Sequence, residues 1–237
     1  MEIKWIGHSC FLIKNLLGKK VLIDPMQIYP YIQKYDLKAD IITLSHSHNN
    51  EFINDCLINN NIIINDTTYF ENEYFIIKAF NSYRDNFSGF RRGENIIYLL
   101  EIDGVKLCHL GSLGHLLNDE LISKLNHLDF LFIPIGGHFC LDGDLAAKLI
   151  ESLKPKYIIP MSFKTSSEYF YLDGPLKFLS SLDNIIYYNT NTIYTNELPL
   201  SSTPTVILLK ENNGAVALAG KKIRWRQLLF YTKKKIF

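Results

Sequence analysis

His46 and His48 are the first residues in this sequence whose type and spacing point to chemistry. They stand one residue apart in the stretch LSHSHNNE, residues 44–51, directly after the apolar run ADIITL, which predicts a buried strand ending in a loop. Neutral imidazoles at a strand end make a metal-ligand pair, because zinc takes three or four His, Cys or carboxylate donors in fixed geometry. The pattern then breaks. Asn49 and Asn50 are uncharged, and Glu51 supplies one carboxylate. Among seven histidines in 237 residues a His-x-His pair also arises by chance, at odds of roughly one in five. The pair alone therefore leaves three readings open: half a metal site, a rebuilt site, or two loop histidines.

The elements that must position these residues are short strands in the first half of the chain. EIKWIG, CFLIK, KKVLID, DIITLS, NIIIN, EYFIIKAF, NIIYLLEI and VKLCHL are apolar runs broken by Gly, Pro and polar turns. Asp103-Gly104 predicts a tight hairpin turn. Many runs are apolar on both faces, the pattern of strands covered on both sides. Helices are predicted over 118–128 and over 142–154, the second starting on acidic residues and stopping before Pro155. Between and after them DFLFIPIGG and KYIIP read as strands, which places the loops GGHFC and PMSFK on one sheet edge. Two packed sheets with outer helices fit this order best.

Composition excludes several classes. Hydrophobic residues make up 47% and charged residues 21%, an ordinary globular balance, and no linker divides the 237 residues. A net charge of +1 argues against a dedicated nucleic-acid binder. The basic stretch is the end: residues 211–237 carry seven Lys/Arg and one acid, which could meet an anionic partner and otherwise form a solvated face. No apolar run is long enough to span a bilayer, and no export signal is seen at the start. Cys10, Cys56, Cys108 and Cys140 form no CxxC pair, so reduced thiols and a cytoplasmic location are expected.

Six ordered blocks, IKWIGHSCFLI, KKVLIDP, DIITLSHSHNNE, GVKLCHLGSLGH, DFLFIPIGGHF and KPKYIIPMSFKT, resemble the metallo-β-lactamase-fold superfamily. The branch is that of short metal-dependent hydrolases related to ascorbate-6-phosphate lactonase. The resemblance covers residues 1–209 and implies an α/β, four-layer αββα sandwich with its site along one edge of two mixed sheets. Residues 210–237 are left as a basic extension, or as extra strands of the same domain. Family members hold two zinc or manganese ions with seven ligands. Here His46 and His48 match, but Asn50 and Glu51 replace Asp and His. SYRDN puts Arg84 at a histidine position, HLGSLGH puts Ser112 at the bridging aspartate, and IPMSFKT puts Ser162 at the last histidine.

These departures predict a lost two-metal reaction, with no metal or at most one weakly bound zinc. Neutral residues replace two buried aspartates that would be costly without metals. Glu51 and Arg84 are expected to form an ion pair in the emptied pocket. Arg84 also suits a phosphate or carboxylate of a small anionic molecule. His8, Asp85 and His138 are further pocket candidates, each with a hydrogen-bonded structural role as its alternative. His109 is expected buried in a strand, His115 in a loop or helix start, and His127 on a helix surface. Ser112 and Ser162 lack a nucleophile-elbow context. Two functions follow: a non-catalytic binding or regulatory protein, or a hydrolase of a phosphorylated lactone, ester or phosphodiester. The hydrolase would use one relocated metal on His46, His48 and Glu51, with His138 or Asp85.

Overall fold

The computed structural model describes residues 1–25, 37–46, 57–165, 171–210 and 221–222. The period-two alternation of the first strands shows how the sandwich is built. In β1 (Glu2–Gly7), β2 (Cys10–Lys14), β3 (Lys20–Ile23) and β4 (Ala39–Thr43), residues Ile3, Trp5, Phe11, Ile13, Val21, Ile23 and Ile41 point into the main core. Their neighbours Ile6, Cys10, Leu12, Leu22, Ala39 and Ile42 form a second buried cluster on the opposite face. Both faces are covered, which is why these runs lack polar alternation.

These strands form a six-stranded sheet in the order β13-β1-β2-β3-β4-β5, with β5 at Leu57–Ile64 and β13 at Thr192–Tyr194. The second sheet has nine strands, ordered β15-β12-β14-β11-β10-β9-β8-β7-β6. Its members are β6 (Tyr69–Glu71), β7 (Ile76–Tyr83), β8 (Glu94–Ile102), β9 (Val105–His109), β10 (Phe130–Pro134), β11 (Tyr157–Met161), β12 (Ile185–Tyr188), β14 (Thr205–Leu209) and β15 (Lys221–Lys222). Both sheets are mixed. β3, β4 and β5 run parallel, as do β9, β10, β11, β14 and β12, while β7, β8 and β9 form an antiparallel meander. Phe11 of the first sheet meets Phe132 of the second at 4.6 Å between ring centroids, which marks the sheet–sheet interface.

Tyr98, fully buried on β8, ties the sheets together by a polar contact. Its hydroxyl lies 2.7 Å from Leu44 O and 2.9 Å from Ile64 O, at the ends of β4 and β5. The Asp103-Gly104 turn is present, with φ of 53° and 75°, the left-handed pair a two-residue hairpin requires.

Among the described residues the helices are α1 (Asp119–Lys124), α2 (Gly143–Leu153) and the single turn α3 (Leu176–Leu179). In α2, Asp142 caps the start by accepting from Leu145 N, and Ala146, Leu149, Ile150 and Leu153 bury one stripe at helical spacing. As the crossover between parallel β10 and β11, with the inner face already taken, α2 covers the outer face. The first helix is shorter than the 118–128 read from the sequence. Leu125 N closes its last turn, Asn126 Nδ2 donates to Ser123 O, and His127 turns left-handed at φ 54°. His127 is exposed as expected, but beyond the helix. No described helix is long and apolar enough to cross a membrane.

Candidate functional site

At the C-terminal edge of β3 and β4 the chain buries a carboxylate. Asp24, fully buried and left-handed at φ 47°, accepts from Ser45 N and from Ser45 Oγ, both at 2.6 Å. Ser45 Oγ lies 2.8 Å from His46 Nδ1. A hydroxyl has one proton. If Ser45 gives it to Asp24, it accepts from His46 Nδ1–H, and Nε2 keeps the lone pair. That is the tautomer a metal-binding histidine needs, set by the partner of its other nitrogen. His48, Asn50 and Glu51 lie outside the described residues, and so does the expected Glu51–Arg84 pair.

His109 sits beside this group and is structural. Gly111 N donates to its Nδ1 at 3.1 Å, so Nε2 carries the proton and donates to Ser9 O at 2.9 Å. Burial pushes its pKa below the usual histidine value, against the raising effect of Asp24 at 4.0 Å, so the ring stays neutral. The strand-buried reading of this residue holds.

Two close approaches bring the other loops to the same edge. A Cβ on Gly111 (φ 59°) would lie 2.4 Å from Asn95 Oδ1 and 2.6 Å from Ser45 Cβ, so glycine is required where this loop crosses Ser45. A Cβ on Gly136 would lie 2.1 Å from Ser162 O. Ser112 is buried, and its N–H donates to Asn95 Oδ1 at 2.7 Å. Asn95 Nδ2 in turn donates to Ser82 Oγ and Leu110 O. Gly114 N donates to Tyr83 O beside Arg84, and Leu141 N to Leu113 O beside Cys140. Ser162, left-handed at φ 51°, donates its N–H to His8 O at 3.2 Å, which also accepts from Trp5 Nε1. The structure thus gathers His8, His46, Arg84, Ser112 and Ser162 at one edge of the sandwich. His8, Asp24, His138 and Ser162 all carry positive φ there, the kind of backbone strain that clusters at functional sites.

Asp85 and His138 turn to other partners. The Asp85 carboxylate accepts from Phe87, Gly89, Arg91 and Arg92 N–H at 2.7–3.0 Å and organises the 85–92 loop. Burial raises its pKa, but those four donors outweigh burial and hold it below the usual carboxylate range. With its oxygens spent, it is a loop organiser rather than a metal ligand. His138 is partly exposed, with Nε2 3.4 Å from Asp173 Oδ1 and its ring edge-on to Tyr171 at 4.5 Å.

Arg84 is half-buried, and desolvation and then Arg92 lower its pKa from the usual arginine value. Its Nε is buried with no partner among the described residues, and one terminal nitrogen reaches Arg92 O at 3.4 Å. Ser162 Oγ is likewise buried with no partner among the described residues. A protonated guanidinium and neutral hydroxyls are not ligands for zinc or manganese. Among the described residues no group of three or more His, Cys, Asp or Glu could hold an ion. Of the expected ligand positions within the described residues, His46 offers an imidazole, and Arg84, Ser112 and Ser162 offer no His, Cys or carboxylate donor.

The profile of the β-lactamase superfamily domain matches residues 2–162. This chain belongs to that family. A UPF0173 metal-dependent hydrolase of Nanoarchaeum equitans is 31% identical over 194 residues, which cover 70% of this chain and 85% of that protein. One from Thermoplasma volcanium is 30% identical over 191 residues, 70% of this chain and 84% of that protein. A Thermotoga maritima structure of the metallo-β-lactamase superfamily superposes with TM-score 0.71 at 29% identity, over 88% of this chain and 99% of that one. A Parabacteroides distasonis chain at 16% identity, with TM-score 0.64, shares the fold. The chain is thus a metallo-β-lactamase-fold member of a metal-dependent hydrolase family. Within it, the Asp24–Ser45 contact and the Asn95 support of Ser112 were not singled out from sequence. Their signals were a lone acid closing LID and a lone amide inside an apolar strand.

Proposed function

We propose that this protein keeps the metallo-hydrolase scaffold without the two-metal reaction and serves as a binding or regulatory protein. Arg84 carries the reading: a half-buried guanidinium with no carboxylate within salt-bridge reach among the described residues, at a position that family resemblance gives to a histidine ligand. A divalent ion about 5 Å from such a cation, at an effective dielectric of about 20, is repelled by roughly 6–7 kcal/mol. That corresponds to about five powers of ten in metal affinity. Ser112, at the resemblance's bridging aspartate, offers no carboxylate to hold two ions around a hydroxide. Metal analysis of protein purified without chelator is the test. Close to two equivalents of zinc or manganese per chain refutes the proposal.

A second reading rests on His46, whose Nδ1 lies 2.8 Å from Ser45 Oγ; with Ser45 donating to Asp24, this contact places the ring proton on Nδ1 and the lone pair on Nε2. A single zinc on His46, His48 and Glu51 would then activate water for hydrolysis of a phosphorylated lactone, ester or phosphodiester. Metal-dependent turnover of such esters, abolished by His46→Ala, supports that reading, and silence across a broad panel removes it.

A further inference from the structure

We propose that the sandwich edge around Arg84 binds an organic oxyanion, a phosphate monoester or carboxylate, carried on an aromatic body. The inference deepens the metal-depleted reading and rests on it. A guanidinium taken half out of water needs an anion, and the described residues supply none in contact. Among the described residues no carboxylate lies within salt-bridge reach of Arg84, and its Nε donor is buried without an acceptor. The Asp24 carboxylate acts on it only from a distance and is engaged by Ser45 N and Oγ. Cys140, also nearby, is no substitute. Burial pushes its thiol up to about 12, and its one S–H faces Gly137 O and Leu141 O at 3.6 and 3.5 Å, so it stays neutral. The neighbouring charge is Arg92, a second cation.

Hydrogen-bonding capacity at this edge is also unspent. Ser162 Oγ is buried with no partner among the described residues, which is unusual for a buried hydroxyl in a native fold. A planar guanidinium with a hydroxyl donor at the same edge suits the geometry of phosphate or carboxylate oxygens. The aromatic part follows from the rim. Phe139, adjacent to Cys140, leaves 46% of its surface in solvent, and the Arg92 guanidinium lies 6.0 Å from its ring centroid. A ligand ring could stack on Phe139 while its oxyanion reaches Arg84.

The test uses full-length protein dialysed against EDTA, with inorganic phosphate, phenyl phosphate and phenol as probes in calorimetry and thermal-shift assays. Phenyl phosphate is expected to bind about three- to tenfold more tightly than phosphate, and phenol not at all. Arg84→Gln should weaken both anions at least tenfold. Phe139→Ala should erase the preference for phenyl phosphate while leaving phosphate unchanged. Should Arg84→Gln fail to fold, Arg84→Lys decides, because it keeps the charge and loses the planar fork; unaltered affinity there overturns the proposal. Metal-free protein that ignores phenyl phosphate, or equal binding by Arg84→Gln, overturns the ligand inference alone. Binding that appears only after zinc or manganese is added overturns both this inference and the metal-depleted reading.

Discussion

Replacing Tyr98 by Phe removes one oxygen from the core and tests how the edge bearing His46 is held. The Tyr98 hydroxyl sits between Leu44 O and Ile64 O, contributed by the other sheet, and Leu44 directly precedes Ser45 and His46. Ile64 O keeps a second donor, Leu44 N at 2.9 Å, so Leu44 O is the group most exposed to the loss. Losing a neutral hydrogen bond costs about 1 kcal/mol net, and stranding a buried carbonyl raises this toward about 3 kcal/mol. Relief from burying the phenol offsets part of that, which leaves about 2 kcal/mol. For a chain of this size, that lowers Tm by roughly 4–8 °C. Burial, chiefly, raises the Tyr98 pKa, so the hydroxyl remains a donor through the neutral range and the loss should not vary between pH 6 and 9. Urea unfolding should show a lower midpoint with an unchanged m-value. Tyr69→Phe, at an exposed tyrosine, is the control and should stay within about 0.5 kcal/mol. A Tyr98→Phe loss no larger than the control's refutes the claim that this hydroxyl pins the two sheets.

Gly111→Ala should destabilise by about 3 kcal/mol or more, since its Cβ would collide with Asn95 and Ser45, whereas Gly104→Ala meets open space and should cost only about 1–2 kcal/mol for its positive φ. Equal losses in urea unfolding would show that Gly111 is needed for its turn alone. Asp85 has a depressed folded pKa, so its stabilising contribution is full above the unfolded value near ~3.9 and is lost as pH falls through the folded pKa. The stability gap between wild type and Asp85→Asn should therefore be widest at neutral pH and close below about pH 4; a gap independent of pH would contradict the four-donor account. Removal of residues 211–237, with seven of the chain's basic residues, should abolish any salt-dependent retention on an anionic matrix, and unchanged retention assigns that behaviour to the domain itself.

What could be read beforehand was local. The Asp103-Gly104 turn, the capped start of α2 and the strand runs depend on neighbours a few residues apart, where turn chemistry and periodicity act. The site depends on distant pairs. Ser45 meets Asp24 across 21 residues, Ser112 meets Asn95 across 17, and Tyr98 meets Leu44 across 54. No periodicity encodes such pairs, so a lone polar residue in an apolar strand, such as Asn95, was the only hint. The same limit explains Asp85. Its place in SYRDN suggested the pocket, but the loop after it folds back and takes the carboxylate with four backbone N–H groups. Helix α1 fell short because Asn126 and His127 end it through a side-chain hydrogen bond and a left-handed backbone, which the apolar spacing does not reveal.

His46 is weaker evidence for a metal than it looks in the sequence. The Ser45 hydroxyl that would orient it as a ligand also satisfies Asp24, a carboxylate buried between β3 and β4. Removing that hydroxyl would leave Asp24 short of a donor in a dry interior, a penalty borne by the fold whether or not an ion is bound. The Asp24–Ser45–His46 arrangement can therefore persist under selection for stability alone. Arg84 has less structural support: one terminal nitrogen reaches Arg92 O, but among the described residues its Nε is buried without an acceptor and no carboxylate offsets its desolvation. On physical grounds the histidine is the neutral observation and the arginine the informative one. That asymmetry favours an anion at Arg84 over a metal at His46.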